Sequence, residues 1–574
     1  MSITINGKEI ELAAGETVLQ TAGRAGIDIP HLCSLDWAPS PSASCRLCVV
    51  EVEGEPRLQT SCTLAARDGM RVRTHTARIL KARRAIVELL IASHPPDCLS
   101  CTRAGRCELA VLSAELGARE SRYVGAVKDH AVDVSSPALW RDPNKCVLCG
   151  RCVTMCHTVQ GIGAIDFAGR GFRTKVVPGF SAGLNVSDCV SCGQCARVCP
   201  TGAIVERSHV EGVVAALTDP DTVVVAQVAP AVPATLLERR TKTQGVHTML
   251  ERLAAALKAV GFDAVFDTGF AADLTVVEQA TELLGRIREG GVLPMFTSCS
   301  PAWVHFVEAH RPDLIPHLST CKSPSQMAGA LIKEIYPTYA GLGDRRLVVV
   351  SIMPCTAKKA EAQELAGVDF VLTTRELDAL WRRFGVDLAR FTSGVPLDPP
   401  FAKASGGARL FAGSGGIMEA AVRTAHKLAT GTELEGGPRV SEARGNEGVR
   451  QFTVAAAGTE LNLAVINGLG SLRDTLDELL GADPPVHFVE VMSCPSGCVG
   501  GGGQPYGANA DEVRERLARL YDADRYSSIR RSHENTEVQA LYNDVLGRPF
   551  GELSQRLLHR ARVDRRAAVD ALLS

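Results

Sequence analysis

VHFVEVMSCPSGC, residues 486–498, opens as an apolar run and stops on a cysteine, with a second cysteine four residues further on. Two other stretches end in the same way: GGVLPMFTSC (290–299) at Cys299 and RLVVVSIMPC (346–355) at Cys355. Short apolar runs bounded by Gly or Pro read as buried strands. TVVVAQVAP (222–230) reads as a fourth, and MLERLAAALKAVGF (249–262) as a helix with Gly261 near its end. Strands alternating with helices predict an α/β domain with parallel strands, which binds ligands beyond the C-terminal strand ends. Cys299, Cys355 and Cys494, with Cys498 of CPSGC, are therefore expected to converge on one site. An isolated cysteine is most often inert core; four at element ends near Pro or Gly are not. GGGG (500–503) follows and permits close backbone approach. GSGG (413–416) opens a helix-like run and could approach a small ligand, but no phosphate loop and no strand-linked G-x-G-x-x-G is present, so no nucleotide site is expected.

The first 210 residues have another texture. Of the chain's 20 cysteines, fifteen precede residue 200, in tight groups. A 574-residue chain is too long for one core and needs no disulfide staples, so grouped thiols point to iron–sulfur clusters in a reducing compartment. ITINGKEIEL (3–12) reads as a hairpin about Asn6-Gly7, and ETVLQTAGRAG (16–26) as a helix closed by Gly26, the opening of a β-grasp fold. Cys33, Cys45, Cys48 and Cys62 follow and suit one [2Fe–2S] cluster; a zinc site is the weaker alternative. His94, Cys98, Cys101 and Cys107 come after a helix-like segment and the Pro95-Pro96 pair, and suit a [4Fe–4S] cube with one imidazole ligand. Cys146, Cys149, Cys152 and Cys156 are then matched by Cys189, Cys192, Cys195 and Cys199 at the same spacing, the signature of a two-cluster ferredoxin. In that fold the fourth cysteine of each run serves the other cube, which pairs Cys199 with the first run and Cys156 with the second. His157 reads as an exposed surface residue. Clusters in series imply stepwise electron transfer toward a destination in the remaining chain.

Composition narrows the class. Lys and Arg total 62 against 64 Asp and Glu, a net charge of −2, which argues against a nucleic-acid binder. No apolar run reaches a membrane-spanning length, and the N-terminus lacks a signal-peptide pattern, so a cytoplasmic protein without membrane contact is expected.

Taken together these motifs carry a resemblance. TSCSPAW (297–303) resembles the TSCCPxW motif of [FeFe] hydrogenases, MPCTAKK (353–359) their second motif, and EVMSCPSGCVGGGGQP (490–505) their third. GSGGIMEAAVR (413–423) and residues 531–559 are similar to further segments of that family, and the four cysteine groups stand in the order of its large monomeric clostridial type. The resemblance implies a multidomain α+β chain. Its expected parts are a β-grasp [2Fe–2S] domain (1–78), a His(Cys)3 [4Fe–4S] domain (79–124), a two-[4Fe–4S] ferredoxin domain (137–208), an α/β catalytic domain (209–505) and a small-subunit-like segment (506–574). It implies the reaction 2H+ + 2e− ⇌ H2 at an H-cluster, a [4Fe–4S] cube joined to a two-iron unit carrying CO, cyanide and azadithiolate. By motif, Cys355, Cys494 and Cys498 would ligate it, Lys358 would pair with a cyanide, and Pro230, Ala231, Met353 and Met492 would line the two-iron unit. Expected cofactors are one [2Fe–2S], three accessory [4Fe–4S] and the H-cluster. Expected partners are a ferredoxin or a flavin/NAD-linked carrier, and the maturases that install the two-iron unit.

The chain also departs from the family. Cys299-Ser300 stands where two cysteines are usual, so by strict match Cys299 holds the proton-relay position and Ser300 the ligand position. The alternative is a shifted loop that makes Cys299 the fourth ligand. Of the family's proton path, Ser319, Glu282 and Arg286 are kept, but Gln279 replaces a Glu, with Glu278 beside it. Ser325 replaces a Gln while Gln326 remains. Cys321 reads as core. These departures leave a hydrogen-sensing or low-activity member open beside the enzyme, and the cluster-rich first third leaves an electron-transfer subunit like that of complex I.

Overall fold

The computed structural model describes residues 1–35, 37, 43–118, 121–237, 245–434, 443–446, 448–507 and 509–566. The expected closing segment, 506–574, therefore lies partly outside the described residues. The chain forms two compact units. One comprises Met1–Val159, Gly163–Ser187 and Val198–Val205; the other comprises Gln160–Ile162, Asp188–Arg197 and Glu206–Ser574.

The first unit opens with a five-stranded sheet of β1 (Ser2–Ile5), β2 (Lys8–Glu11), β3 (Val49–Val52), β4 (Gln59–Thr60) and β5 (Arg71–Arg73), in the order β2-β1-β5-β3-β4. β1 and β2 pair from Ser2↔Glu11 to Ile5↔Lys8. Asn6 and Gly7 join them with φ of 51° and 84°, the backbone that a two-residue hairpin of the right twist needs. The helix Val18–Arg24 is started by a capping box between Thr17 and Gln20. It buries Val18, Leu19 and Ala22 against Ile3, Ile5, Val50 and Val72, in a core that also contains Cys48 and Cys62. The helix Ala77–Ala92, capped by Thr76, ends at Ser93 just before Pro95-Pro96.

Further along the same unit, β6 (Leu139–Arg141) precedes the first ferredoxin cysteine run, and β7 (Ile165–Ala168) and β8 (Lys175–Pro178) form an antiparallel hairpin after it. His157 is exposed, as the sequence reading expects; its Nε2 lies 3.1 Å from the Ile165 carbonyl oxygen and its ring lies beside Gly163. β9 (Ile204–Glu206) closes the segment.

The second unit contains two sheets. β10 (Thr222–Val228), β11 (Ala264–Asp267), β13 (Arg346–Met353) and β14 (Phe370–Thr373) form an all-parallel sheet in the order β11-β10-β13-β14. β12 (Met295–Phe296), β15 (Val449–Ala456), β16 (Thr459–Asn467) and β17 (Phe488–Met492) form the other, in the order β12-β17-β16-β15. There β12, β17 and β16 run parallel and β15 closes an antiparallel hairpin. The GGVLPMFTSC run supplies only the two residues of β12, since two glycines and Pro294, which has no N–H to give, keep its start out of the ladder. The helix Thr268–Glu289 serves both sheets: Phe270, Leu274 and Val277 enter the core of the first and Leu283 that of the second. Each such buried side chain contributes about 1.5–3 kcal/mol.

Candidate metal centre

The C-terminal ends of β10, β12, β13 and β17 face one cavity. Pro230 and Ala231 follow β10, Cys299 and Ser300 follow β12, Cys355 follows β13, and Cys494 follows β17. Cys498 joins them from the one-turn helix Gly497–Gly500. The Cys498 thiol lies within electrostatic reach of those of Cys355, Cys494 and Cys299. Met353 and Met492, each 3% exposed, complete an apolar wall, and Lys358 is the one charged residue lining it among the described residues.

Close backbone packing shapes the cavity floor. A Cβ on Gly501 would stand 2.3 Å from the Pro354 carbonyl oxygen, and one on Gly502 2.0 Å from that of Cys192. GSGG is not among the described residues that line the cavity. Gly415, at φ 87°, and Met418 instead give their N–H groups to the buried Glu490 carboxylate, each at 2.7 Å, at the start of the helix Gly416–Thr430.

Cys299 and Ser300 both line the cavity but have different neighbours. The Ser300 hydroxyl is 2.6 Å from that of Ser493, the residue before Cys494. Cys299 packs beside Ala272, Val276, Phe411 and Met492. Burial pushes its thiol up to about 12, with the Glu490 carboxylate adding to the shift. Lys358 Nζ donates to Glu361 at 2.8 Å and to the Cys299 carbonyl at 3.4 Å. Ser325 shares a buried hydrogen bond with Ser351 at 3.1 Å, and Gln326 is buried with its side-chain oxygen unpaired. Cys321 is fully buried in the first sheet's core.

The proton-path candidates lie along the helix Thr268–Glu289. Ala272 and Val276 touch Cys299's neighbourhood, and Gln279, Glu282 and Arg286 continue along that face at helical spacing. Glu282 accepts from Ser319 Oγ at 2.7 Å and from Arg286 Nη2 at 2.7 Å, while Arg286 also holds the carbonyls of Val292, Pro316 and Leu318. Gln279 is fully buried, and neither its amide nitrogen nor its oxygen has a partner. Glu278 points elsewhere. It accepts from Tyr542 Oη at 2.6 Å, Ser554 Oγ at 2.5 Å and the Phe550 N–H at 2.9 Å, with His559 Nε2 at 3.1 Å.

The accessory groups are equally specific. In the first unit, Cys33 lies in hydrogen-bonding contact with Cys45 and Cys62, and Cys62 with Cys48. Arg83, fully buried, donates to the carbonyls of Leu47 and Val49, each at 2.9 Å, and so fastens the Cys45–Cys48 turn; burial lowers its pKa to about 10. Only this contact map shows that role, because an arginine in an amphipathic helix reads as solvated. His94 stands just past the helix Ala77–Ala92, Cys98 is exposed, and Cys107 caps the helix Glu108–Glu115 within electrostatic reach of Cys101. Cys146, Cys149, Cys152 and Cys199 line one small cavity, and Cys156 accepts the Ala164 N–H at 3.2 Å. The paired runs also share their backbone: Leu148 and Ser191 have φ of 53° and 58°, and Gly150 and Gly193 follow at 82° and 70°. Such turns aim N–H groups at an anionic cluster.

In the second unit, Cys192 forms part of the wall of the large cavity and lies within electrostatic reach of Cys189, Cys195 and Cys494. Its loop is tied down by Gln194 Nε2 to the Gly500 carbonyl at 2.8 Å and by Thr356 Oγ1 to the Ser191 carbonyl at 2.8 Å.

The donor set suits an iron–sulfur group. The cavity offers several thiols, two thioethers and one ammonium, and among the described residues no carboxylate or imidazole lines it, which disfavours a hard cation. The group Glu433, His533 and Glu534 brings metal-type ligand atoms together, but Lys427 and Arg531 already neutralise it. Among the described residues no helix is long and apolar enough to cross a membrane.

Comparison with known proteins agrees along the chain. Residues 222–502 match the iron only hydrogenase large subunit, C-terminal domain, and 510–561 the iron hydrogenase small subunit. Residues 1–77 match a 2Fe-2S iron-sulfur cluster binding domain, 83–122 the NADH-ubiquinone oxidoreductase-G iron-sulfur binding region, and 143–203 a 4Fe-4S dicluster domain. The NADP-reducing hydrogenase subunit HndD of Solidesulfovibrio fructosivorans is 43% identical, over 97% of this chain and 98% of its own. Iron hydrogenase 1 of Clostridium pasteurianum is 35% identical over 97% and 99%. A solved structure of [FeFe]-hydrogenase HydA1 from Chlamydomonas reinhardtii, 38% identical, superposes with a TM-score of 0.54 over 62% of this chain and 99% of that one. Cysteine-ended sheets around one cavity, a series of thiol groups ahead of them and likeness over the whole length together establish that the chain belongs to the [FeFe] hydrogenases, as a catalytic chain with an accessory iron–sulfur relay.

Proposed function

We propose that the chain is the hydrogen-activating subunit of a cytoplasmic, NADP-linked assembly. The likeness to an NADP-reducing hydrogenase subunit over nearly the full length supports this reading, and so does the lack of a nucleotide-binding motif in this sequence, which leaves NADP to a flavin-bearing partner. The carrying observation is that Cys355, Cys494, Cys498 and Cys192 line one cavity, which supports a catalytic group at the end of a relay.

In this reading Cys355, Cys494 and Cys498 hold the H-cluster, and one [2Fe–2S] and three [4Fe–4S] clusters feed it through the cysteine groups and His94. When bound, the two-iron unit supplies the open iron position at which H2 is made or split. The protein does the rest. Met353, Met492, Pro230 and Ala231 exclude water, and the Lys358 ammonium, oriented by Glu361, offers a charge-assisted hydrogen bond to an anionic ligand such as cyanide. Cys299 holds a proton on Sγ at the cavity edge. Ser319 Oγ, the Glu282 carboxylate and Arg286 continue toward the surface. Protein loaded with a synthetic two-iron cofactor should evolve H2 from reduced viologen; no evolution from fully loaded protein would refute the assignment.

One observation favours low turnover, as in a hydrogen sensor. Gln279 stands between Cys299 and Glu282 on the helix face with its amide unpaired, and an amide does not exchange a proton as a carboxylate does.

A further inference from the structure

We propose that Ser300 and Ser493 form an oxygen corner in the cysteine-lined cavity: the Ser300 hydroxyl oxygen, steadied by Ser493, takes the fourth protein position of the cube, so that one of its irons is held by oxygen and is removable. This rests on the reading of the cavity as the site of a cube.

A cube has four irons to anchor, and Cys355, Cys494 and Cys498 account for three. Ser300 and Ser493 line the same cavity and lie 2.6 Å apart. Ser300 occupies the N-cap position of the helix Pro301–His310, where a serine hydroxyl ordinarily accepts a backbone N–H, yet it makes no capping bond. Its side chain is committed to Ser493 instead. Cys299, the rival fourth ligand, lines the same cavity but on its apolar side, packed with Ala272, Val276, Phe411 and Met492.

Ser493 makes the pair more than a substitution. Its hydroxyl can donate to Ser300 Oγ and so stabilise that oxygen as the Ser300 proton leaves on binding iron. Among the described residues, Ser493 is the residue of the cavity wall that hydrogen-bonds Ser300 Oγ. Oxygen holds ferrous iron in a sulfide cube less firmly than thiolate does. One-electron oxidation by ferricyanide would release that iron: [4Fe–4S]2+ becomes [3Fe–4S]+ plus Fe2+, and ferricyanide becomes ferrocyanide.

The test uses the full chain made without the two-iron cofactor, with its cubes reconstituted and then treated anaerobically with ferricyanide. Iron content and the paramagnetic resonance signal of [3Fe–4S]+ are read together. The native chain should lose about one iron more than Ser300→Cys, and only the native chain should give the extra signal, because accessory clusters contribute equally to both. Ferrous ion with reductant should reverse the change. Ser493→Ala should lose the iron at lower oxidant, and Cys299→Ala should behave as the native chain. Equal behaviour of native and Ser300→Cys overturns the oxygen corner. So does loss of cube iron in Cys299→Ala together with its retention in Ser300→Ala; that outcome makes Cys299 the ligand and leaves the hydrogenase reading intact. If Cys355→Ala costs the chain no cluster iron, the cavity holds no cube and both readings fall.

Discussion

In the proposed proton path Gln279 is the residue that limits turnover. From Val276, beside Cys299, to Arg286 the helix advances about 15 Å, and Gln279 and Glu282 are the polar side chains on the face between them. Restoring the acid should reopen the route: Gln279→Glu should raise turnover in both directions by roughly 10²-fold, within the range of a positioned acid–base group. The check is H2 evolution and uptake at several pH values with the solvent isotope effect. An unchanged rate would mean that protons leave by another path. At this scale the sequence was partly readable. TSCS and VEQA mark the two altered positions, but whether Glu278 stands in for its neighbour depends on where its side chain points, and three hydrogen bonds with a nearby imidazole turn it toward the C-terminal segment. Ser493 stood in plain view before Cys494 and went unread, because a serine draws attention only once its partner is known.

Elements show what fixes those residues. Glu278 is buried, which raises its pKa, but His559, Ser554, Tyr542 and the Phe550 N–H outweigh burial and leave it lowered. A carboxylate with a lowered folded pKa gives stability that is complete above its unfolded pKa and is lost as pH falls through the folded one. Glu278→Gln should therefore destabilise the fold by roughly 2–4 kcal/mol at neutral pH, and the gap should shrink as pH falls below the ordinary carboxylate range, in thermal unfolding followed by circular dichroism. A gap that does not shrink in acid would contradict an ionised Glu278. Gly415 is a second pin: a Cβ there would meet the Ala443 carbonyl oxygen at 1.7 Å, at positive φ. Gly415→Ala should cost several kcal/mol (roughly 3 or more) and loosen the Glu490 anchor, seen as a fall in the unfolding midpoint. Strand-end cysteines, the hairpin at Asn6-Gly7 and the helix after GSGG were legible from pattern alone. The split into two sheets was not, since apolar runs carry no record of which neighbour they pair with, and the target of GSGG proved to be Glu490, a residue of the chain itself.

For the whole molecule, the decisive feature is that one cavity wall contains both the strand-end thiols and Cys192. The proposed relay would therefore deliver its electrons through the loop that Gln194 and Thr356 hold in place. Cys192→Ser should cut H2 uptake with a carrier that enters through the relay by roughly tenfold or more, while the catalytic group stays bound. Equal rates with the native chain would mean the relay ends elsewhere. The order of the cluster groups was legible because metal ligation demands fixed spacing, whereas Arg83 and the tethers of the Cys192 loop were not, because they bind backbone carbonyls that any sequence could offer. The most direct measurement is the infrared spectrum of the matured full-length protein. Bands of iron-bound CO and cyanide that shift on exposure to H2, and that vanish in Cys498→Ala, are expected; a matured chain without such bands, or with bands indifferent to Cys498, would contradict a hydrogen-activating centre at these strand ends.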